Sequence, residues 1–211
     1  MNKIGVFGGT FDPVHKGHEI PALKFYDKFN LDKLLIIPAN IPPHKQNHDG
    51  VPAIDRFEMC RICFEKYKDK NKYNIEVSDI EIKKDGVSYS VDTITKIREI
   101  YPGGVIYFLV GSDMFLNLGS WRRYEELLEM CVFAVSFRTS DDTDISEVRR
   151  LREKLLSQGY KAELLENDAF VVSSTELREK LKRGDFDLCE YISPEVLDYI
   201  KERNLYVLQQ E

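Results

Sequence analysis

The sequence predicts a doubly wound α/β fold, a Rossmann-like parallel sheet in a single domain over residues 1–211 with a helical C-terminal segment at about 173–205. Three observations predict it. Short apolar runs alternate with segments of helical periodicity along most of the chain. Two of the runs, residues 33–38 and 105–110, are apolar at nearly every position, as a parallel strand covered on both faces requires. The runs at residues 3–7 and 105–110 are each followed by glycine, Gly8-Gly9 and Gly111, and an open parallel sheet places its ligand crevice at such carboxyl ends.

Each element follows from local pattern. Residues 3–7 form a first strand, and residues 18–29 a helix with Ile20, Leu23, Tyr26 and Phe29 near helical spacing. After the strand at 33–38 comes a proline-rich loop, residues 39–52, with His44 and His48, then a helix at 54–67. Residues 73–82 alternate like a strand, and Ser90 is placed to cap a helix presenting Ile94, Ile97 and Tyr101 on one face. Residues 105–110 and 132–136 form strands, 146–158 a helix with Val148, Leu151 and Leu155 inward, and 161–165 a last strand. Ser173-Ser174-Thr175-Glu176 is a capping-box pattern opening a helix at 173–183. Pro194 starts another, reaching Arg203, at a position where the first helical turn tolerates proline.

The segment Gly8-Gly9-Thr10-Phe11-Asp12-Pro13-Val14-His15-Lys16-Gly17-His18 concentrates the chemistry. A strand entering a glycine turn and then a helix gathers backbone N–H groups, a helix N-terminus and two imidazoles, which suits a polyphosphate. His15 and His18, three apart, share one helix face. Gly9, Phe11, Asp12, Pro13, His15, Gly17 and His18 together arise by chance in about one such chain in 10⁷ at average composition. On its own, the stretch from Ser173 to Arg178 reads as an N-cap followed by a solvated arginine.

The first segment resembles the HxGH signature of the nucleotidyltransferase superfamily, and in its full form most resembles that of bacterial nicotinate-nucleotide adenylyltransferases. The resemblance runs from Gly8 to about Arg178 with the elements in family order. It implies an enzyme of NAD biosynthesis that transfers the adenylyl group of ATP to nicotinate mononucleotide, giving nicotinate adenine dinucleotide and pyrophosphate. It assigns catalysis to His15, His18, Lys45 and Arg178. Gly8, Gly9, Thr10, Phe11, His15, His18, Gly111, Asp113, Ser173, Ser174, Thr175 and Arg178 are implied to bind ATP, the last four through an SSTxxR element. Asp12, His44, Lys45, Ser90, Thr93, Trp121 and Arg138 are implied to bind nicotinate mononucleotide, with the Trp121 ring against the pyridine. Ser90 stands where the family's SYTxDT element carries threonine, and Thr139-Ser140 where Pro-Gly usually follows Arg138. Arg56 and Met59 match the helix after the proline loop, and Arg56 also fits a structural ion pair. Mg²⁺ is implied as a cofactor carried on the substrate phosphates, without a metal site of the protein's own.

Other readings are a family member acting on nicotinamide mononucleotide or pantetheine phosphate, and a nucleotide sensor without catalysis, against which the intact His15, His18 and Arg178 argue. His44, His48, Cys60 and Cys63 also form a conceivable zinc set, competing with a purely apolar role for the two cysteines on their helix. The net charge of −6 opposes a nucleic-acid partner, and no apolar run is long enough to span a membrane. Without a signal-peptide core at the N-terminus the expected compartment is the cytoplasm. The cysteines at 60, 63, 131 and 189 lack disulfide-scaffold spacing, so reduced thiols are expected. Homo-oligomerisation is left open.

Overall fold

The computed structural model describes residues 2–43, 51–67, 72–84, 86–137, 145–167 and 172–207. Its strands are β1 Lys3–Gly9, β2 Lys33–Pro38, β3 Ile75–Val77, β4 Val105–Gly111, β5 Val132–Phe137 and β6 Ala162–Glu166. They pair in parallel in the order β3-β2-β1-β4-β5-β6. The chain winds outward from β1 to β3, then crosses back to β4 and winds the other way, so the order reverses between β1 and β4. At that seam Val6 lies beside Leu35 on one side and Phe108 on the other.

Period-two alternation within the apolar runs sorts side chains between two cores, one on each face of the sheet. Leu34, Ile36, Leu109 and Ala134 join one core with helices α1 Lys16–Phe29, α2 Ala53–Glu65, α7 Ser174–Lys182 and α8 Pro194–Glu202. Ile4, Val6, Leu35, Phe108 and Val135 join the other, with α3 Ser90–Ile100, α4 Ser112–Leu116, α5 Tyr124–Met130 and α6 Ile145–Ser157. Gly5 is required at the first face, since a Cβ there would lie 2.4 Å from Leu31 Cδ1. Among the described residues, no helix is long and apolar enough to cross a membrane.

The local structure differs from the sequence pattern at four points. β3 covers Ile75–Val77 rather than residues 73–82. Its partner β2 ends at Pro38, which has no N–H to continue the ladder. Ser90 is the first residue of α3 rather than its cap, and Tyr89 occupies the cap position without a side-chain bond. α1 begins at Lys16 because His15 itself is the N-cap. The short helices α4 and α5, separated by a 3₁₀ turn at Leu118–Ser120, fill the connection between β4 and β5 with no corresponding sequence expectation.

Candidate active site

The carboxyl end of β1 delivers the two imidazoles. His15 Nδ1 accepts the Gly17 N–H at 3.0 Å, and His18 Nδ1 accepts the His15 N–H at 3.3 Å. This is a capping box made of imidazoles instead of a hydroxyl and a carboxylate. Because each Nδ1 is an acceptor, the proton of each neutral ring sits on Nε2, leaving two Nε2–H donors. The ring centroids are 3.9 Å apart. Burial, reinforced by the neighbouring His15, holds the His18 pKa well below 6.5, so His18 is neutral at neutral pH. Gly17 is dictated by this arrangement, since a Cβ there would sit 2.8 Å from His15 Cε1. Phe11, at φ 51° and 1% exposed, sets its ring edge-on to His18 with centroids 5.0 Å apart. Its side chain therefore supports an imidazole from within the core, and the ATP contact implied for Phe11 is open only to its backbone.

A second helix start meets the first. His15 Nε2 lies 3.1 Å from Oγ of Ser174, the first residue of α7. Ser173 is the α7 cap: its Oγ accepts the Glu176 N–H at 3.1 Å while Glu176 Oε2 accepts the Ser173 N–H at 3.3 Å. The predicted capping box is thus present, and it occupies the Ser173 side chain that the resemblance assigns to ATP. Arg178 Nη2 donates to Thr175 Oγ1 at 3.1 Å and its Nη1 to the Asp12 carbonyl at 2.8 Å. Asp12 itself is 1% exposed, which leaves its carboxylate no surface for the mononucleotide contact implied for it.

Two cavities of about 460 Å³ each flank the β1–β4 seam and share Phe7, Leu109, Val110, Gly111 and Asp113. The first is walled by Gly8, Gly9, Thr10, Ser90, Thr93 and Trp121. Trp121 is half-buried and packs edge-on to Phe108, with centroids 6.2 Å apart. The second is walled by His15, Gly17, His18, Ser112, Asn167 and Ser174. The sequence-predicted residues Gly8, Gly9, Thr10, His15, His18, Ser90, Thr93, Gly111, Asp113, Trp121 and Ser174 thus converge on one crevice. Thr175 and Arg178 stand beside it, joined to each other and to the Asp12 loop. His44, Lys45 and Arg138 lie outside the described residues.

A family model described as cytidylyltransferase-like matches residues 6–180. A protein of Fusobacterium nucleatum named probable nicotinate-nucleotide adenylyltransferase is 37% identical over 202 residues, covering 95% of this chain and 97% of its own length. One of the same name from Desulfatibacillum aliphaticivorans is 34% identical, covering 97% and 100%. The chain belongs to the nicotinate-nucleotide adenylyltransferase family. In fold it resembles the Plasmodium falciparum nicotinic acid mononucleotide adenylyltransferase, whose structure complexed with NaAD gives a TM-score of 0.78 at 23% identity over 98% of both chains.

This member of the nicotinate-nucleotide adenylyltransferase family also carries site residues that sequence reasoning missed or misjudged. Glu81 lines the cavity that holds Trp121, and its Oε1 accepts the Thr93 hydroxyl at 2.6 Å. Burial raises the Glu81 pKa, opposed by hydrogen bonds from Thr93 and Ser88. The signal available was alternation in residues 73–82, which assigned Glu81 to a strand instead. Arg56 is 1% exposed, and its guanidinium donates to the carbonyls of Val51, Thr10 and Asn40 at 3.2, 2.7 and 2.9 Å. It ties together the glycine turn and both ends of the proline loop rather than serving a single carboxylate.

Cys60 and Cys63 take the apolar role on their helix. Cys60 and Cys63 are buried in the core, where burial pushes both thiols up, and the Cys63 Sγ–H donates to Glu19 at 3.5 Å. His44 and His48 lie outside the described residues, among which no group of three or more His, Cys, Asp or Glu side chains is placed to hold a metal ion. All four cysteines are free.

Proposed function

We propose that this chain transfers the adenylyl group of ATP to the 5′-phosphate of nicotinate mononucleotide, in the cytoplasm, releasing pyrophosphate and forming nicotinate adenine dinucleotide. The observation that carries the reading is the meeting of the His15–His18 pair with the Ser174 helix start, His15 Nε2 to Ser174 Oγ being 3.1 Å, at a seam shared with an aromatic-walled cavity. The names of the Fusobacterium and Desulfatibacillum relatives support the same substrate.

In this reading a phosphate oxygen of the acceptor attacks the α-phosphorus of ATP in line. The new P–O bond forms as the bond to the β-phosphate oxygen breaks, and pyrophosphate leaves with that electron pair. A phosphate dianion is already a competent nucleophile, so no general base is needed and the protein contributes positioning and charge stabilisation. His18 directs its Nε2–H at the α-phosphate oxygens, where negative charge accumulates, and His15 joins it by exchanging its contact with Ser174 Oγ for a phosphate oxygen. The first turn of α7, through Ser174 and its backbone N–H groups, receives the β- and γ-phosphates. Lys45 and Arg178 offset the remaining charge, Arg178 by turning Nη2 from Thr175 to phosphate oxygens while Nη1 keeps its bond to the Asp12 carbonyl. Trp121 stacks on the pyridine, and Ser90 at the start of α3 offers donors to the nicotinate carboxylate.

Among the described residues Asp113 is the one carboxylate that lines both cavities, which fits Mg²⁺ held mainly by substrate oxygens and water. Bound there, Mg²⁺ neutralises phosphate charge.

Pyrophosphate release measured with ATP and each acceptor tests the reading. Nicotinate mononucleotide is expected to exceed nicotinamide mononucleotide by roughly 10²-fold or more in kcat/KM, because donors facing a carboxylate gain a charge-assisted bond and facing an amide NH₂ lose one. Equal rates would overturn the nicotinate assignment, activity only with phosphopantetheine would replace the acceptor, and ATP binding without any turnover would make the chain a sensor.

A further inference from the structure

We propose that Tyr206, in the tail beyond α8 and beyond the span matched by the family model, is a positioning residue for adenylyl transfer. Its hydroxyl fixes Asp12, and through Asp12 both the loop that carries His15 and the guanidinium of Arg178. The inference rests on the proposed function and assigns to that site a residue distant in sequence.

Asp12 is where three separate segments meet. The Tyr206 hydroxyl donates to Asp12 Oδ1 at 2.6 Å across 194 residues of sequence. Arg178 Nη1 donates to the Asp12 carbonyl at 2.8 Å and stands 4.0 Å from Oδ2. Asp12 lies one residue past the buried, left-handed Phe11 that supports His18, and three before the imidazole of His15. The Asp12 carboxylate touches neither cavity and is 1% exposed, so its bonds serve the loop's position rather than a ligand.

The tail is built to reach this point. Asn204, at φ 50°, is the left-handed residue that commonly follows a helix C-cap, whereas Tyr206, at φ 66°, adopts a conformation that a bulky L-residue rarely takes and that persists only where surrounding contacts impose it. Those contacts are present. Leu205 N–H bonds the Ile200 carbonyl at 3.0 Å, Arg203 Nε bonds Asp55 Oδ1 at 3.2 Å, and Tyr199 Oη bonds the same oxygen at 2.8 Å. Burial and the adjacent Asp12 push the Tyr206 phenol up, which keeps it protonated as a donor.

Replacing tyrosine by phenylalanine, Y206F, keeps the ring and removes only the hydroxyl. Calorimetry with α,β-methylene-ATP and steady-state turnover with nicotinate mononucleotide read the effect. The expected result is a fall of about tenfold in ATP-analogue affinity and in kcat/KM for ATP, the scale of one hydrogen bond to a charged group. The KM for nicotinate mononucleotide should stay near that of the parent, while the Tm falls by the few degrees that an unpaired buried acceptor costs. Introduced into a D12N chain, Y206F should add little, because both act through one contact.

A chain ending at Leu205 serves if Y206F is not recovered folded, and must show the same ATP-side loss. Parental ATP parameters in Y206F would overturn the proposal, as would a fall in Tm with both KM values unmoved, or full additivity with D12N. Absence of turnover in the parent itself would instead overturn the proposed reaction, while the calorimetric comparison would still decide the role of Tyr206.

Discussion

The two cavities on either side of the β1–β4 seam are equal in volume and opposite in construction. On the α1 and α7 side the site is made of helix starts, glycine and imidazole, with its donors fixed by backbone hydrogen bonds such as Gly17 N–H to His15 Nδ1. On the α3 side it is made of side chains from scattered elements, namely Trp121 from the β4–β5 connection, Glu81 from the turn after β3, and Ser90 and Thr93 from α3. A phosphate chain needs many donors at close and fixed distance, which contiguous backbone supplies cheaply. A flat aromatic ring needs an apolar wall and a few polar atoms, which can be collected from anywhere in the fold. The first half should therefore respond to substitution chiefly in kcat and ATP binding, the second in acceptor KM.

The largest expected effect is on the imidazole side. His18→Ala should lower kcat by roughly 10²-fold or more with the KM for ATP nearly unchanged, as removal of a preorganised donor to developing charge does. Rapid-quench single-turnover kinetics measure this, and normal turnover would remove His18 from the transition state. Gly17→Ala should follow with a loss of roughly tenfold or more in kcat, because the new Cβ displaces the His15 ring that lies 2.8 Å away. Alanine is the better helix former by about 1 kcal/mol, so thermal denaturation should show the fold intact while turnover falls. Unchanged turnover would mean that the position of the His15 ring is not critical.

Across the seam, Trp121→Ala should raise the KM for nicotinate mononucleotide about tenfold through lost stacking and apolar contact. ATP affinity should hold, and a parallel loss of ATP binding would mean that the two cavities are not separable.

The smallest effect concerns stability. The folded-state pKa of His18 is depressed by burial, so folding disfavours its proton. The native stability is fully present above the unfolded value of about 6.5 and declines as pH falls from there toward the depressed folded value. The parent should therefore lose more Tm than His18→Asn when acidified from about pH 7 to about pH 5. Identical slopes would show that His18 titrates normally in the folded chain.

How much was legible follows the same division. β2 and β4 were readable because a strand buried on both faces must be apolar throughout, and the His15–His18 turn because its residues are contiguous. The α7 capping box was readable from Ser173 and Glu176, and with it the engagement of the Ser173 side chain, but no local pattern told that Ser174 would face His15. The end of β3 was misread because alternation continues through residue 82 in the sequence while the partner strand stops at Pro38. Arg56 suggested an ion pair because composition names a charge but not its partners, here three carbonyls.

The sequence by itself determined the alternation of strand and helix, the glycine turn, the paired imidazoles and the capping box, because each is a relation among near neighbours governed by local sterics and hydrogen bonding. Only the tertiary structure decided that Ser174 would meet His15 across 159 residues, that Glu81 would hold Thr93, and that Tyr206 would close on Asp12. Those contacts join segments brought together by burial of the two cores, and burial selects for apolar volume without specifying which polar groups the packing brings within hydrogen-bond distance.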